Sequence, residues 1–128
     1  MITDPSLLMP YFLVRTNKIT IGSGATRILT AEPRRVSIIF VNNGQNPAWI
    51  QINGSVSSTN GILLNPTGGT SSGGVPNAAT EIFFARHGAL CQSEWYAGQL
   101  AISGTIMTIE TLWMPPNGRT QSEDLQDK

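Results

Sequence analysis

The single cysteine and the single histidine carry the most reactive side chains in this sequence. Cys91 and His87 stand four residues apart, a spacing at which a histidine could activate a thiol nucleophile. Such a pair also needs a third group that orients the histidine, and none is evident nearby. We therefore interpret Cys91 as a small buried apolar residue, and we predict that the chain is not an enzyme and has no catalytic residue.

The acidic residues and the glycine-rich segment do not form a recognisable metal or phosphate site. Apart from Glu123-Asp124 the acidic residues are scattered singly, and the ligand spacings of zinc and calcium sites are absent. The segment 68–74 lacks the lysine and the glycine spacing of a phosphate-binding loop. The sequence predicts no metal and no cofactor.

The tryptophans suggest a second kind of chemistry, which is stacking on a sugar ring. Trp49 shares a predicted strand face with Gln51 and Asn53, and amides beside an aromatic plane can recognise hydroxyl groups. Trp95 is the other candidate for such a platform. The competing interpretation, which we favour, is that these rings lie in the core or in a subunit interface, where large rings contribute most burial.

Charged residues are absent from a long central stretch of the chain. From Val36 to Thr80 there are 45 residues without Asp, Glu, Lys or Arg, and only 12% of the whole sequence is charged. Proton transfer and metal binding need titratable groups, so this composition points away from catalysis. The net charge of zero argues against binding nucleic acid and makes association with other subunits more plausible.

Short alternating apolar segments separated by turn residues predict an all-β fold. No window of eleven or more residues keeps helical spacing without Gly or Pro, and turn signals recur every 8–12 residues. We expect seven to nine strands in a single β-sandwich or jelly-roll domain. The predicted strands include Tyr11–Val14, Lys18–Ile21, Arg35–Asn42, Ala48–Asn53, Ile62–Leu64, Glu81–Ala85, Ala89–Ser93 and Thr105–Met114.

Both ends of the chain differ from the centre. Residues 1–10 contain two prolines that oppose a helix, and we predict an N-terminal arm there, a β-sandwich domain over 11–114 and a polar C-terminal tail over 115–128. The apolar run near the start is too short to span a bilayer and lacks the basic region of a signal peptide, so no membrane contact is expected. Candidate interface residues are Leu7, Leu8, Met9, Tyr11, Phe12, Trp49 and Trp113.

One pattern of strand and turn residues resembles a known family. Arg35–Gly44 followed by Pro47–Ile50 and Gly61–Leu64 is similar to small β-sandwich virion proteins of tailed bacteriophages. The segments Ile82–Gly88 and Thr105–Glu110, with Glu94-Trp95-Tyr96-Ala97 between them, resemble the second half of that pattern. The resemblance covers roughly residues 30–112.

The resemblance implies a structural role with no catalytic residues. Such proteins decorate and cement capsids, or form head fibres or neck and tail components, and they are commonly trimeric. We therefore expect a homo-oligomeric capsid decoration protein, with a trimer favoured, that contacts the major capsid protein or other virion subunits. It would be assembled in the host cytoplasm and located in the virion. The alternatives are a neck, tail or head-fibre component, or a carbohydrate-binding attachment module.

Overall fold

The computed structural model describes residues 11–57, 59–67, 77–99 and 103–114. Most of these residues belong to β-strands, which confirms the predicted all-β class. The strands are β1 Tyr11–Ile21, β2 Thr26–Leu29, β3 Arg35–Asn42, β4 Ala48–Gln51, β5 Ile62–Leu64, β6 Ala79–Phe83, β7 Trp95–Gln99 and β8 Gly104–Met114. A short helix, α1 (Phe84–His87), and a 3-10 helix (Gly88–Gln92) lie between β6 and β7.

The strands form two four-stranded antiparallel sheets. Sheet A has the order β1-β8-β3-β6, and sheet B has the order β2-β7-β4-β5. The first strand pairs with the last, the second with the seventh, the third with the sixth and the fourth with the fifth. A chain paired in this nested way and folded across two layers is a jelly roll, one of the two architectures that the sequence predicts.

The core lies between the two sheets, and alternation of buried and outward residues is clearest on β3 and β8. On β3 the side chains of Ile38 and Phe40 are fully buried, and on β8 so is Ile106. Sheet B contributes Ile50 and Trp95, whose ring lies 4.9 Å from the ring of Phe40. Successive strand residues point to opposite faces, so this core leaves the alternate residues of β3 and β8 on the outside of the sandwich.

Two turns have a clear structural cause. The Asn42 amide is buried, donates hydrogen bonds to the carbonyls of Asn46 (2.8 Å) and Leu64 (2.9 Å), and accepts one from Gly44 N. It therefore shapes the turn after β3 and ties that strand to β5 of the other sheet. Gly61 has a φ of 156°, and a Cβ there would lie 2.9 Å from the carbonyl oxygen of Ile50, so only glycine fits where the chain returns to β5.

Three of the predicted strand segments differ from the structure: two are joined into one strand, and one is not a strand. The segments Tyr11–Val14 and Lys18–Ile21, predicted as separate strands, form one continuous β1 because β8 pairs with all eleven residues, including Asn17. Ladder pairing with a long partner outweighs the local turn preference of that asparagine. The segment Ala89–Ser93, predicted as a strand, is mostly 3-10 helix. Gly88, at φ 61°, redirects the backbone after α1, and Cys91 enters the core.

Candidate interaction surface

The most elaborate polar cluster in the described chain is centred on Arg35, at the start of β3. Its side chain is fully buried, and its Nε donates to Glu110 Oε2 at 2.7 Å. The terminal nitrogens donate to the carbonyls of Thr30, Cys91 and Ser93 at 2.7–3.1 Å. Arg35 therefore joins β3 to β8 and to the segments before β3 and β7.

A second arginine extends this cluster toward solvent. Arg15 on β1 donates to Glu110 Oε2 at 3.2 Å and is about half exposed. Both arginines line a cavity of about 460 Å3 between β1 and β2, together with Leu29 and Glu110. The Arg35 guanidinium is engaged by protein acceptors, and the one carboxylate faces two cations. The cluster therefore has the chemistry of a structural clamp, and sequence reasoning missed it because Arg35 and Glu110 are 75 residues apart.

A second ion pair stands beside it at the surface. Arg34 binds both carboxylate oxygens of Glu32 through its side chain, and its backbone N–H also donates to Oε2. Burial pushes the pKa of Glu32 up, but the hydrogen bonds and charges from Arg34, with a smaller effect of Arg15, outweigh it, so the pKa lies below 4.5. This pair stabilises the turn before β3 above that pH and loses its contribution as the pH falls below it.

Cys91 and His87 do not form a catalytic pair in this structure. Cys91 is fully buried, with its Sγ directed at the carbonyls of Arg35 (3.7 Å) and Ile82 (3.6 Å). His87 Nδ1 accepts a hydrogen bond from Phe83 N at 3.0 Å, and its ring stacks on Phe83. The prediction that Cys91 is a buried core residue is confirmed.

Burial makes Cys91 unreactive in the folded protein. Loss of hydration raises the pKa of this thiol above 9.0, against the opposing effect of the nearby Arg35 charge. We expect a thiol reagent such as Ellman's reagent to label the native protein at pH 8 at least about a hundredfold more slowly than the chain in denaturant. Equal rates in both conditions would show that the thiol is accessible.

The two tryptophans considered as sugar platforms lie in different environments. Trp95 is only 2% exposed and its Nε1 donates to the carbonyl of Leu90, so the favoured interpretation of Trp95 as a core residue is confirmed and the alternative of a ligand platform at Trp95 is wrong. Trp49 is half-buried on the outside of sheet B, where it pairs with Leu63 and Gly98. Gln51 Nε2 donates a hydrogen bond to Asn60 Oδ1, and Gln51 Oε1 accepts one from the backbone N–H of Ile52. Both ends of this amide are therefore already engaged within the protein.

The outside of sheet A is the most apolar outward surface of the described strands, and we call it the apolar face. Cross-strand register defines its sixteen members: Phe12, Val14, Thr16, Lys18 and Thr20 on β1; Thr105, Met107, Ile109, Thr111 and Trp113 on β8; Ser37, Ile39 and Val41 on β3; and Ala79, Glu81 and Phe83 on β6. Nine are apolar, five are Ser or Thr, and two are charged. All sixteen keep part of their surface exposed.

This composition departs from an ordinary antiparallel sandwich. Such a sheet normally has one apolar face against the core and one polar face toward water. Here the most exposed apolar side chains are Phe12 at 60% and Val14 at 59%, and β1 is the edge strand. Contiguous exposed apolar surface of this kind marks an interaction site.

The structure brings together two of the predicted interface residues. Phe12 and Trp113 are direct cross-strand partners on the apolar face, although the sequence gives no sign that they meet. Tyr11 points to the other side of β1, and Trp49 lies on the outside of sheet B. Leu7, Leu8 and Met9 lie outside the described residues, as do the predicted arm over 1–10 and tail over 115–128.

The two charges of the apolar face stand at its opposite lateral edges. Lys18 lies on β1 and Glu81 on β6, one cross-strand row apart. Between them, the inner strands β8 and β3 present Met107, Ile109 and Val41 among other neutral side chains. The face is thus a neutral apolar band with a cation on one edge and an anion on the other.

The described residues contain no group of three His, Cys, Asp or Glu side chains arranged to hold a metal ion. Among the same residues we find no helix with the length and apolar character needed to cross a bilayer. The apolar face, with its exposed Phe12 and Val14, is the candidate functional site that the described chain supports best.

Comparisons with known proteins bear on the fold. No protein-family model and no curated protein matches the chain. A solved chain from Bacillus endospore appendages, which are described as forming a novel family of disulfide-linked pili, aligns with a TM-score of 0.50. The alignment covers 84% of this chain and 89% of that chain at 10% sequence identity. At this identity the likeness is one of fold alone.

Proposed function

We propose that this chain is a structural subunit of a protein assembly, and that the assembly is the particle of a tailed bacteriophage, in which the chain decorates and cements the capsid. The observation that carries the structural role is the apolar face of sheet A. The placement in a virion rests on the resemblance of residues 35–64 to β-sandwich virion proteins. The partners would be the major capsid protein or other virion subunits.

The energetic argument for an assembly role starts from the area of the face. Four strands about 4.8 Å apart and about eight residues long at 3.3 Å per residue cover roughly 500 Å2. At about 25 cal/mol per Å2, removing such a surface from water is worth on the order of 10 kcal/mol before the costs of association. A contact of this size repeated over a shell would stabilise the shell considerably.

Two other assignments receive less support from the described residues. The pili named above are disulfide-linked, whereas the one cysteine of this sequence, Cys91, is fully buried in the core. A sugar-binding role would depend on Trp49 and on the neighbouring Gln51 amide. That amide already makes hydrogen bonds with Asn60 and with the backbone N–H of Ile52. No specific observation therefore favours a disulfide-linked pilus or a carbohydrate-binding module.

The copy number of the chain in purified particles tests this proposal. We expect quantitative mass spectrometry of particles to find the chain at hundreds of copies, in a fixed ratio to the major capsid protein, as symmetric decoration requires. About a dozen copies would instead indicate a neck or tail component. Absence from particles, or recovery in separate filaments, would contradict a virion role.

A matched pair of variants connects that test to the apolar face. Ile109→Lys places a charge in the centre of the face, and Arg27→Glu changes a charge on the outside of sheet B, where Arg27 is exposed beside Glu94. We expect Ile109→Lys to reduce incorporation into particles by tenfold or more and Arg27→Glu to leave it unchanged. Equal incorporation of both variants would remove the face from the proposal.

A further inference from the structure

We infer that the apolar face is covered by the same face of a second copy of this chain. In this dimer the two A sheets pack against each other, and the two-fold axis lies between them and runs parallel to their strands. The inference rests on the proposed function, because it takes this face to be an assembly interface. It adds the identity of the partner and the way in which the two faces meet. Size, register and charge support it.

The size of the face suits a pairwise contact. Its roughly 500 Å2 would bury about 1,000 Å2 in total, which is near the lower limit of specific interfaces. Two sheets packed face to face lie about 10 Å apart, and their strands remain within about 30° of each other. A face that occurs once per chain can be covered by pairing with the same face of a second copy, and such a contact closes at two subunits.

The register divides the face into rows that cross all four strands. One row is Val14–Thr111–Ser37–Phe83, the next is Thr16–Ile109–Ile39–Glu81, and the third is Lys18–Met107–Val41–Ala79. Consider a two-fold axis parallel to the strands that passes between β8 and β3. Each row of one copy then lies over the same row of the other copy, with the four strands in the opposite order. β1 of one copy then lies over β6 of the other, and β8 lies over β3.

This superposition places apolar side chains on one another. In the central row, Ile109 faces Ile39 of the partner subunit. In the third row, Met107 faces Val41 of the partner subunit, and in the first, Val14 faces Phe83 of the partner subunit. Each contact occurs twice by symmetry, so Val14 and Phe83 at the two lateral edges are covered together with the centre of the face.

The charges select this orientation. Lys18 on β1 comes to lie one row from Glu81 of the partner subunit on β6, a shift of about 7 Å along the strands that two extended side chains can span. A two-fold axis perpendicular to the strands would instead place β1 over β1 and β6 over β6. The two Lys18 side chains would then lie at one edge of the interface and the two Glu81 side chains at the other. Repulsion between like charges disfavours that arrangement.

Sedimentation equilibrium of the full chain, with charge-reversal variants, tests the inference. We expect the unmodified protein to be a dimer and Ile109→Lys to be a monomer with unchanged far-UV circular dichroism. Lys18→Glu and Glu81→Lys should each raise the dimer dissociation constant about tenfold at low salt, since each places two like-charged pairs at the rim. The double variant Lys18→Glu with Glu81→Lys should restore dissociation to within about twofold of the original value.

Arg27→Glu on sheet B serves as the control and should not change the dissociation constant. A monomer at all concentrations, as expected if residues 1–10 of the same chain cover the face, would overturn the inference. A trimer would also overturn the inference. So would a double variant whose dimer dissociation constant is as high as those of the single variants. A monomeric chain that still enters particles would contradict the dimer but not the proposed function. A dimer that is absent from particles would contradict the proposed function but not the dimer.

Discussion

Replacing Arg35 with alanine is expected to destabilise the domain by about 3–5 kcal/mol, which is the typical effect of removing one partner of a buried ion pair. Arg35 is fully enclosed and holds Glu110 at 2.7 Å. Without it, the Glu110 carboxylate keeps only the half-exposed Arg15 as a partner. The carbonyls of Thr30, Cys91 and Ser93 also lose their donor. Chemical denaturation followed by tryptophan fluorescence measures the loss.

Two further variants separate the buried charge from its neighbours. Arg34→Ala removes a partly exposed arginine next in sequence and should cost less than about 1 kcal/mol. The double change Arg35→Met with Glu110→Leu removes both charges and should recover much of the stability lost in Arg35→Ala. If Arg35→Ala were no less stable than Arg34→Ala, Arg35 would not be the clamp described above.

Replacing Trp95 with alanine should cost a similar amount, about 3–5 kcal/mol, because it leaves a cavity the size of an indole in the core. The ring packs against Phe40, and its Nε1 donates to the carbonyl of Leu90. Trp49→Ala is the matched control, since Trp49 is half-buried on the outside of sheet B. We expect this change to cost about 1 kcal/mol, and thermal unfolding of the two variants in parallel makes the comparison.

The contrast between the tryptophans also tests a function. A ligand platform exposes its ring, so removing it abolishes binding while the fold remains. Trp95→Ala should instead lower the stability of the fold, because the ring is part of the core. A Trp95→Ala protein as stable as Trp49→Ala would require an exposed Trp95 and would reopen the sugar-binding hypothesis.

In this jelly roll, specific polar contacts lie buried between the sheets beside the apolar core, and the apolar face lies on the outside of sheet A. The buried Arg35–Glu110 pair and the Asn42 amide connect strands that are distant in sequence, so they select one arrangement of the sheets. The outside of sheet A has only Lys18 and Glu81 as charges. The buried polar contacts and the apolar face therefore lie on opposite sides of the same strands.

The sequence by itself determined the fold class and the best-formed strands. Alternation over Arg35–Asn42 and Thr105–Met114 predicts β3 and β8, and the segment Ile62–Leu64 predicts β5, because side-chain direction reverses at every residue of a strand. Asn-Gly pairs and prolines mark the turns between them. The charge-free stretch from Val36 to Thr80 also points away from catalysis, and that remains a prediction.

Only the tertiary structure decided which strands pair and which apolar face stays outside. Both sets of alternate side chains on β3 are apolar, so periodicity cannot tell Phe40, which is buried, from Ile39, which is not. Pairing with β8 made β1 continuous and brought Phe12 beside Trp113 across about a hundred residues. These contacts are non-local, and a linear pattern of residue types contains no information on the register that creates them.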